Sequence, residues 1–68
     1  MATNEEIDNF RNAVEVGDEE TVSELAYDMP PEVLKKALLR CECLVRKTRG
    51  GYKGTRDIVS EALKQRTR

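Results

Sequence analysis

The residue types best suited to chemistry gather in one short stretch. Arg46, Lys47, Arg49, Lys53 and Arg56 place five positive charges within eleven residues, and Gly50, Gly51 and Gly54 fall among them. Glycine lets backbone N–H groups approach a ligand closely. Thr55 is placed to open a helix, whose first N–H groups attract an anion. Together these residues suit a phosphate or a nucleic-acid backbone, with Tyr52 available to stack on a base. The stretch is not a P-loop: no lysine follows Gly54, and a helix precedes it instead of a strand. The plain alternative is a solvated connector kept flexible by its glycines.

The other candidates for chemistry are thinner. Cys41 and Cys43 stand two residues apart, which on a helix sets them about 200° apart, on opposite sides. They cannot pair with each other there. With no histidine in the chain, zinc would have to draw on carboxylates or on another chain. Cys43 precedes Lys47 by four residues, a spacing at which the ammonium could lower the thiol pKa. A lone thiol on a helix surface is ordinarily inert. Carboxylate pairs are plentiful only because one half of the chain is acidic. No catalytic constellation, metal site or cofactor is expected, and the chain is not read as an enzyme.

Length and composition narrow the field further. Sixty-eight residues make one small domain, which buries only about 60% of the surface its unfolded chain exposes. Fifteen of them are Leu, Ile, Val or Phe, enough for a folded but marginal core. The longest apolar runs are three residues, such as Ala37-Leu38-Leu39, so no segment can span a membrane. The polar, acidic start is unlike a signal peptide. Free cysteines fit a reducing compartment, and a cytoplasmic location is expected.

The net charge of −1 hides a strong asymmetry. Residues 1–34 carry ten acids and the single base Arg11, whereas residues 35–68 carry eleven bases and three acids. The acidic half could face a basic partner or mimic nucleic-acid charge. It could also neutralise this chain's own basic half, within the fold or between copies.

The hydrophobic period is helical throughout, and it sets the elements that must position these groups. A first helix is predicted over about 4–16, with Thr3 and Glu6 in capping-box spacing, Ile7, Phe10 and Val14 as its stripe, and Gly17 as its stop. Asp18 is predicted to cap a second helix over about 19–28, with Val22, Leu25, Ala26 and Met29 inward. Pro30-Pro31 ends it and starts a third helix over about 31–47, whose face of Val33, Leu34, Ala37, Leu38, Cys41, Leu44 and Val45 makes it central. Leu39 and Cys43 project off that face among basic residues, where they could anchor a partner protein; the plain alternative is that this central helix is buried on two sides. The basic glycine-rich loop covers 48–54, a fourth helix covers about 56–65 with Thr55 as cap, and residues 66–68 form a tail. No alternating run suggests a strand. The predicted class is all-α: four short helices able to pack as two helical hairpins.

Val22-Ser23-Glu24-Leu25 is echoed at Val59-Ser60-Glu61-Ala62, 37 residues on. Residues Ala13 to Leu25 place an alanine, a glycine turn and a Val-x-x-Leu helix in an order that resembles the helix–turn–helix part of an ankyrin repeat. The resemblance implies protein binding. It covers about a fifth of the chain, lacks the Thr-Pro-Leu-His start, and departs from the usual period of about 33, so it describes a shared way of packing a hairpin.

A folded chain of this size without catalytic groups or metal ligands acts mainly by binding. The expected function is a small protein-interaction module that regulates, inhibits or helps assemble a larger protein. The residues expected to make the contact are Leu39, Cys43, Arg46, Lys47, Arg49, Tyr52, Lys53 and Arg56. The alternative is a weak nucleic-acid or phosphate binder working through the basic loop, and the acidic half counts against it. A homo-oligomer joined acidic face to basic face is a third arrangement.

Overall fold

The computed structural model describes residues 3–66. Four helices follow in the order α1 (Asn4–Val16), α2 (Glu19–Ala26), α3 (Pro31–Lys47) and α4 (Lys53–Arg66), with no strand among the described residues. The all-α class is observed. α1 packs on α2 and α3 on α4, and the two hairpins meet through α2 against α4 and α1 against α3.

Local chemistry explains the ends of the first hairpin. Thr3 Oγ1 accepts from the Glu6 amide at 3.2 Å, and Glu6 Oε1 accepts from the Thr3 amide at 3.2 Å, which completes the capping box of α1. Gly17 closes that helix at φ 75°, the left-handed region that glycine enters without a Cβ penalty. The Gly17 amide donates to the Val14 carbonyl at 3.2 Å and the Asp18 amide to the Ala13 carbonyl at 2.9 Å, a Schellman closure. Asp18 then caps α2. Its carboxylate accepts from the Thr21 hydroxyl at 2.6 Å and from the Thr21 amide at 3.3 Å. These bonds, the hydroxyl first, hold the Asp18 carboxyl below its ordinary pKa.

Two boundaries differ from expectation. α2 ends at Ala26, two residues before the expected Asp28. Pro30 disfavours helical backbone at Met29, so residues 27–29 turn, although Met29 itself stays fully buried. α4 starts at Lys53 and not near Arg56, because the Arg56 amide already donates to the Tyr52 carbonyl at 2.9 Å. Tyr52 therefore takes the cap position expected of Thr55, and Thr55 is buried inside the helix. Of the expected tail, Arg66 is the last residue of α4 and donates to the Tyr27 carbonyl at 2.5 Å; residues 67 and 68 lie outside the described residues.

One core joins every helix. Phe10, Ala13 and Val14 from α1 meet Val22 and Ala26 from α2, Leu34, Ala37 and Cys41 from α3, and Val59 and Ala62 from α4. Both valines of the internal echo, Val22 and Val59, are fully buried. The centre of α3 lies at Leu34 and Cys41, and Leu38 is only half-buried at the edge of the cluster. The reason is the helical period. Leu34, Ala37, Cys41 and Leu44 recur three and four apart on one line, and Leu38 lies about 100° from Ala37.

The hairpins stack in register. Glu19, first in α2, lies against Gly54 near the start of α4, and Tyr27 past the end of α2 meets Arg66 at the end of α4. α2 and α4 therefore run in the same direction. Glu15 of α1 pairs with Arg40 of α3, and Arg11 lines the same groove as Lys36, so α1 and α3 are also parallel.

Cores of domains this small seldom supply more than about 3–5 kcal/mol. Leu34→Ala, which removes a fully buried side chain, should cost about 2–5 kcal/mol and leave the chain largely unfolded. Leu39→Ala on the exposed face should change stability by less than about 0.5 kcal/mol. Urea titration followed by far-ultraviolet circular dichroism checks both. A Leu34→Ala variant with the wild-type midpoint would show that the core is centred elsewhere.

Candidate functional site

The basic loop is a defined turn. At the end of α3 the Thr48 amide and hydroxyl both reach the Leu44 carbonyl, at 2.9 and 2.7 Å, and the Gly50 amide donates to the Val45 carbonyl at 2.9 Å. This closure puts Arg49 at φ 54° and Gly50 at φ 95°. Arg49 occupies the left-handed position that glycine ordinarily fills after a helix. A side chain there costs about 1–2 kcal/mol. Lys53 folds its aliphatic stem over Gly50, where a Cβ would stand 3.1 Å from its Cε.

Tyr52 is turned inward. Its hydroxyl donates to the Glu15 carbonyl at 2.8 Å, and its ring covers Gly17, where a Cβ would stand 3.2 Å from Cε1. The tyrosine expected to offer a stacking face thus ties the second hairpin to the turn of the first. Arg56 is half-buried and pairs with Asp57 at 3.3 Å. At the start of α4, where an anion was expected to bind, the Glu19 carboxylate lies against Gly54. The favourable end of the helix dipole already faces a carboxylate from the acidic half. Arg46, Lys47, Arg49 and Lys53 are left exposed.

A second surface lies on α3. Leu39 is 67% exposed and Cys43 is exposed one turn further on. Helical spacing puts Lys36, Leu39, Arg40, Cys43 and Lys47 on one side of the helix. Beside it, α1 and α3 enclose a groove of about 220 Å³ lined by Val14, Val33 and Ala37 and by the charged side chains of Arg11, Glu15, Lys36 and Arg40. Arg40 Nε donates to both carboxylate oxygens of Glu15, at 2.9 and 3.0 Å. That hydrogen bond, and then the Glu15 charge, raise the Arg40 pKa. Both contacts run through Nε. No hydrogen bond runs from the terminal guanidinium nitrogens of Arg40 to a carboxylate among the described residues, and Arg11 and Lys36 pair with none there.

The groove was absent from the sequence reading. Its one available signal was Arg11, the only base among ten acids, spaced i, i+4 with Glu15 just as Lys36 is with Arg40. That signal becomes legible only once α1 and α3 are known to lie side by side.

Comparison with protein-family models, with curated proteins and with solved structures finds no match for this chain. Among the described residues no cluster of three or more Cys, Asp or Glu side chains is placed to hold a metal ion, and no helix is long and apolar enough to cross a membrane.

The two thiols differ sharply. Burial, then the nearby Glu15 carboxylate, push the Cys41 thiol up from 9.0 to about 11, against a smaller opposing effect from Arg56. Cys43 is exposed. A thiol reagent should therefore modify Cys43 alone in the native protein and both cysteines in denaturant. The raised pKa has a second readout. Its stabilisation is complete below the unfolded value near pH 9.0 and is lost as pH rises through about 11, a loss of about 2–3 kcal/mol. Cys41→Ala should flatten that alkaline decline in urea titrations, and an unchanged decline would place its cause elsewhere.

Proposed function

We propose that this chain is a small protein-interaction module that regulates, inhibits or helps assemble a larger protein by occupying its surface. The observation that carries this is the continuity of the α3 side with the groove. A single exposed leucine is ordinary, but Leu39 and Cys43 adjoin a concave surface floored by Val14, Val33 and Ala37 and rimmed by Arg11, Lys36 and Arg40. Apolar contact area ringed by charge suits a protein surface. The charge separation supports rapid, salt-sensitive association with a charged partner. Two free thiols support a reducing, cytoplasmic setting.

The nucleic-acid reading keeps one observation in its favour. Arg49 holds a strained left-handed position beside exposed Arg46, Lys47 and Lys53, a place where glycine would be more stable. Against it stand the inward Tyr52, the Glu19 carboxylate at the start of α4, and the acidic half, which repels a long polyanion.

Capture from the native host, with and without nuclease, separates the two. A partner protein should survive nuclease and be lost with Leu39→Asp. Arg49→Gly should raise stability by about 1 kcal/mol, so any binding it loses reflects the missing charge and not unfolding. Loss of every partner on nuclease treatment would favour nucleic acid. In that case Arg49→Ala with Lys53→Ala should lower the slope of log affinity against log salt by about 2.

A further inference from the structure

We infer that the groove between α1 and α3 is the docking site for an acidic amphipathic helix of a protein partner, which lays an aliphatic side chain on Val14, Val33 and Ala37 and its carboxylates on Arg11, Lys36 and Arg40. The inference rests on the interaction-module reading and names the chemistry of the partner.

Charge sets the sign of the occupant. The lining carries three cations against the single carboxylate of Glu15; among the described residues Arg11 and Lys36 pair with no carboxylate, and the terminal nitrogens of Arg40 make no hydrogen bond to one. Glu15 shows how a carboxylate seats here, accepting from Arg40 Nε at 2.9 and 3.0 Å. Arginine donors left open beside it can take a second carboxylate from outside, and charge-assisted bonds of this kind are the stronger class.

Size and floor set the rest. A volume of about 220 Å³ is below the roughly 300–1,000 Å³ typical of a metabolite or cofactor pocket. It suits one or two side chains delivered by a larger body. The apolar floor offers nothing to a sugar–phosphate backbone and rewards an aliphatic group. Lys36 and Arg40 are one helical turn apart, about 6 Å along α3, so they match carboxylates spaced i, i+4 on a partner helix. The exposed side of α3 carrying Leu39 and Cys43 extends the contact beyond the groove.

The test uses the whole chain, isotope-labelled, titrated with a capped synthetic peptide patterned with glutamate on one helical face and leucine on the other. Two controls replace its leucines by alanine or its glutamates by lysine. Resonances of Val14, Val33 and Ala37 should shift with the first peptide and not with either control. Arg11→Glu with Lys36→Glu, both at exposed positions, should weaken the binding by tenfold or more, about the effect of one lost charge-assisted bond. Lys36→Arg should retain it, and circular dichroism confirms that each variant is folded. Equal shifts with the alanine control would mean attraction of charge alone and would overturn the inference. Shifts confined to Leu39, Cys43 and residues 48–52 would also overturn it, while leaving the interaction module standing. Groove resonances that move on concentrating the chain without peptide, and cease to move in Lys36→Glu, would identify a second copy as the occupant and overturn it likewise. If no peptide shifts the groove, the docking site is refuted; the module reading falls with it only when host capture also yields no nuclease-resistant protein.

Discussion

The Tyr52 ring rests on Gly17, and its hydroxyl donates to the Glu15 carbonyl at 2.8 Å. This contact holds the turn between α3 and α4 against the turn between α1 and α2, and the stacking of the hairpins depends on it. A residue without a Cβ sits at φ 75° unstrained and admits the ring this closely without displacing it. With these turns locked, α4 must start at Lys53, Glu19 comes to lie against Gly54, and α2 and α4 run parallel. α1 and α3 are left side by side on the other layer, and the groove is the space between them. The residue expected to offer a stacking face is therefore among those that shape the groove.

The charge asymmetry finds two uses in the fold. Part of it is answered internally: Glu15 meets Arg40 across the two halves, and the Glu19 carboxylate faces the start of α4. These contacts are on the surface, where ion pairs are screened by salt, so they orient the helices more than they stabilise them. The remainder stays open to solvent. Glu20, Glu24 and Asp28 are exposed along and just past α2, and Lys36, Arg46, Lys47 and Arg49 are exposed on and after α3. A sequence that is acidic first and basic second becomes a globule with differently charged sides.

Much of the fold was legible because local rules were obeyed. The capping box at Thr3, the glycine stop at Gly17, the Asp18 cap and the Pro30-Pro31 break each act within a few residues, and each was placed from the sequence alone. The misplacements have different causes: Pro30 cuts α2 short locally, whereas the start of α4 depends on a distant contact. Tyr52 moved the start of α4 through a bond to a residue 37 positions away, and no local pattern encodes that distance. The apolar stripe of α3 was found, with Cys41 fully buried in it, yet Leu38, counted on the same face, is only half-buried, because a broad stripe does not say which edge meets the neighbouring helix. Helical period set Leu39 and Cys43 off the core face, where both are exposed, and the alternative of an α3 buried on two sides does not hold. The groove was invisible for the same reason as the Tyr52 bond, since its lining comes in two sets from different helices.

Stability and binding are coupled in a chain this small. α3 and α4 pack extensively on each other, as do α1 and α2, whereas α1 meets α3 more sparingly. The groove thus lies along the sparser of the two seams, α1 with α3 and α2 with α4, that join the hairpins, and its polar walls are joined across the gap by an exposed ion pair. The partner helix proposed for this groove would supply apolar contact that the chain cannot supply for itself. Any ligand that binds only the folded state stabilises it in proportion to the logarithm of its saturation, about 2.7 kcal/mol at a hundredfold excess over Kd. That increment is comparable to the few kcal/mol a core of this size supplies. If the chain is the interaction module proposed above, its folded population responds to the presence of its partner, which follows from the same shortage of core that leaves the groove unfilled.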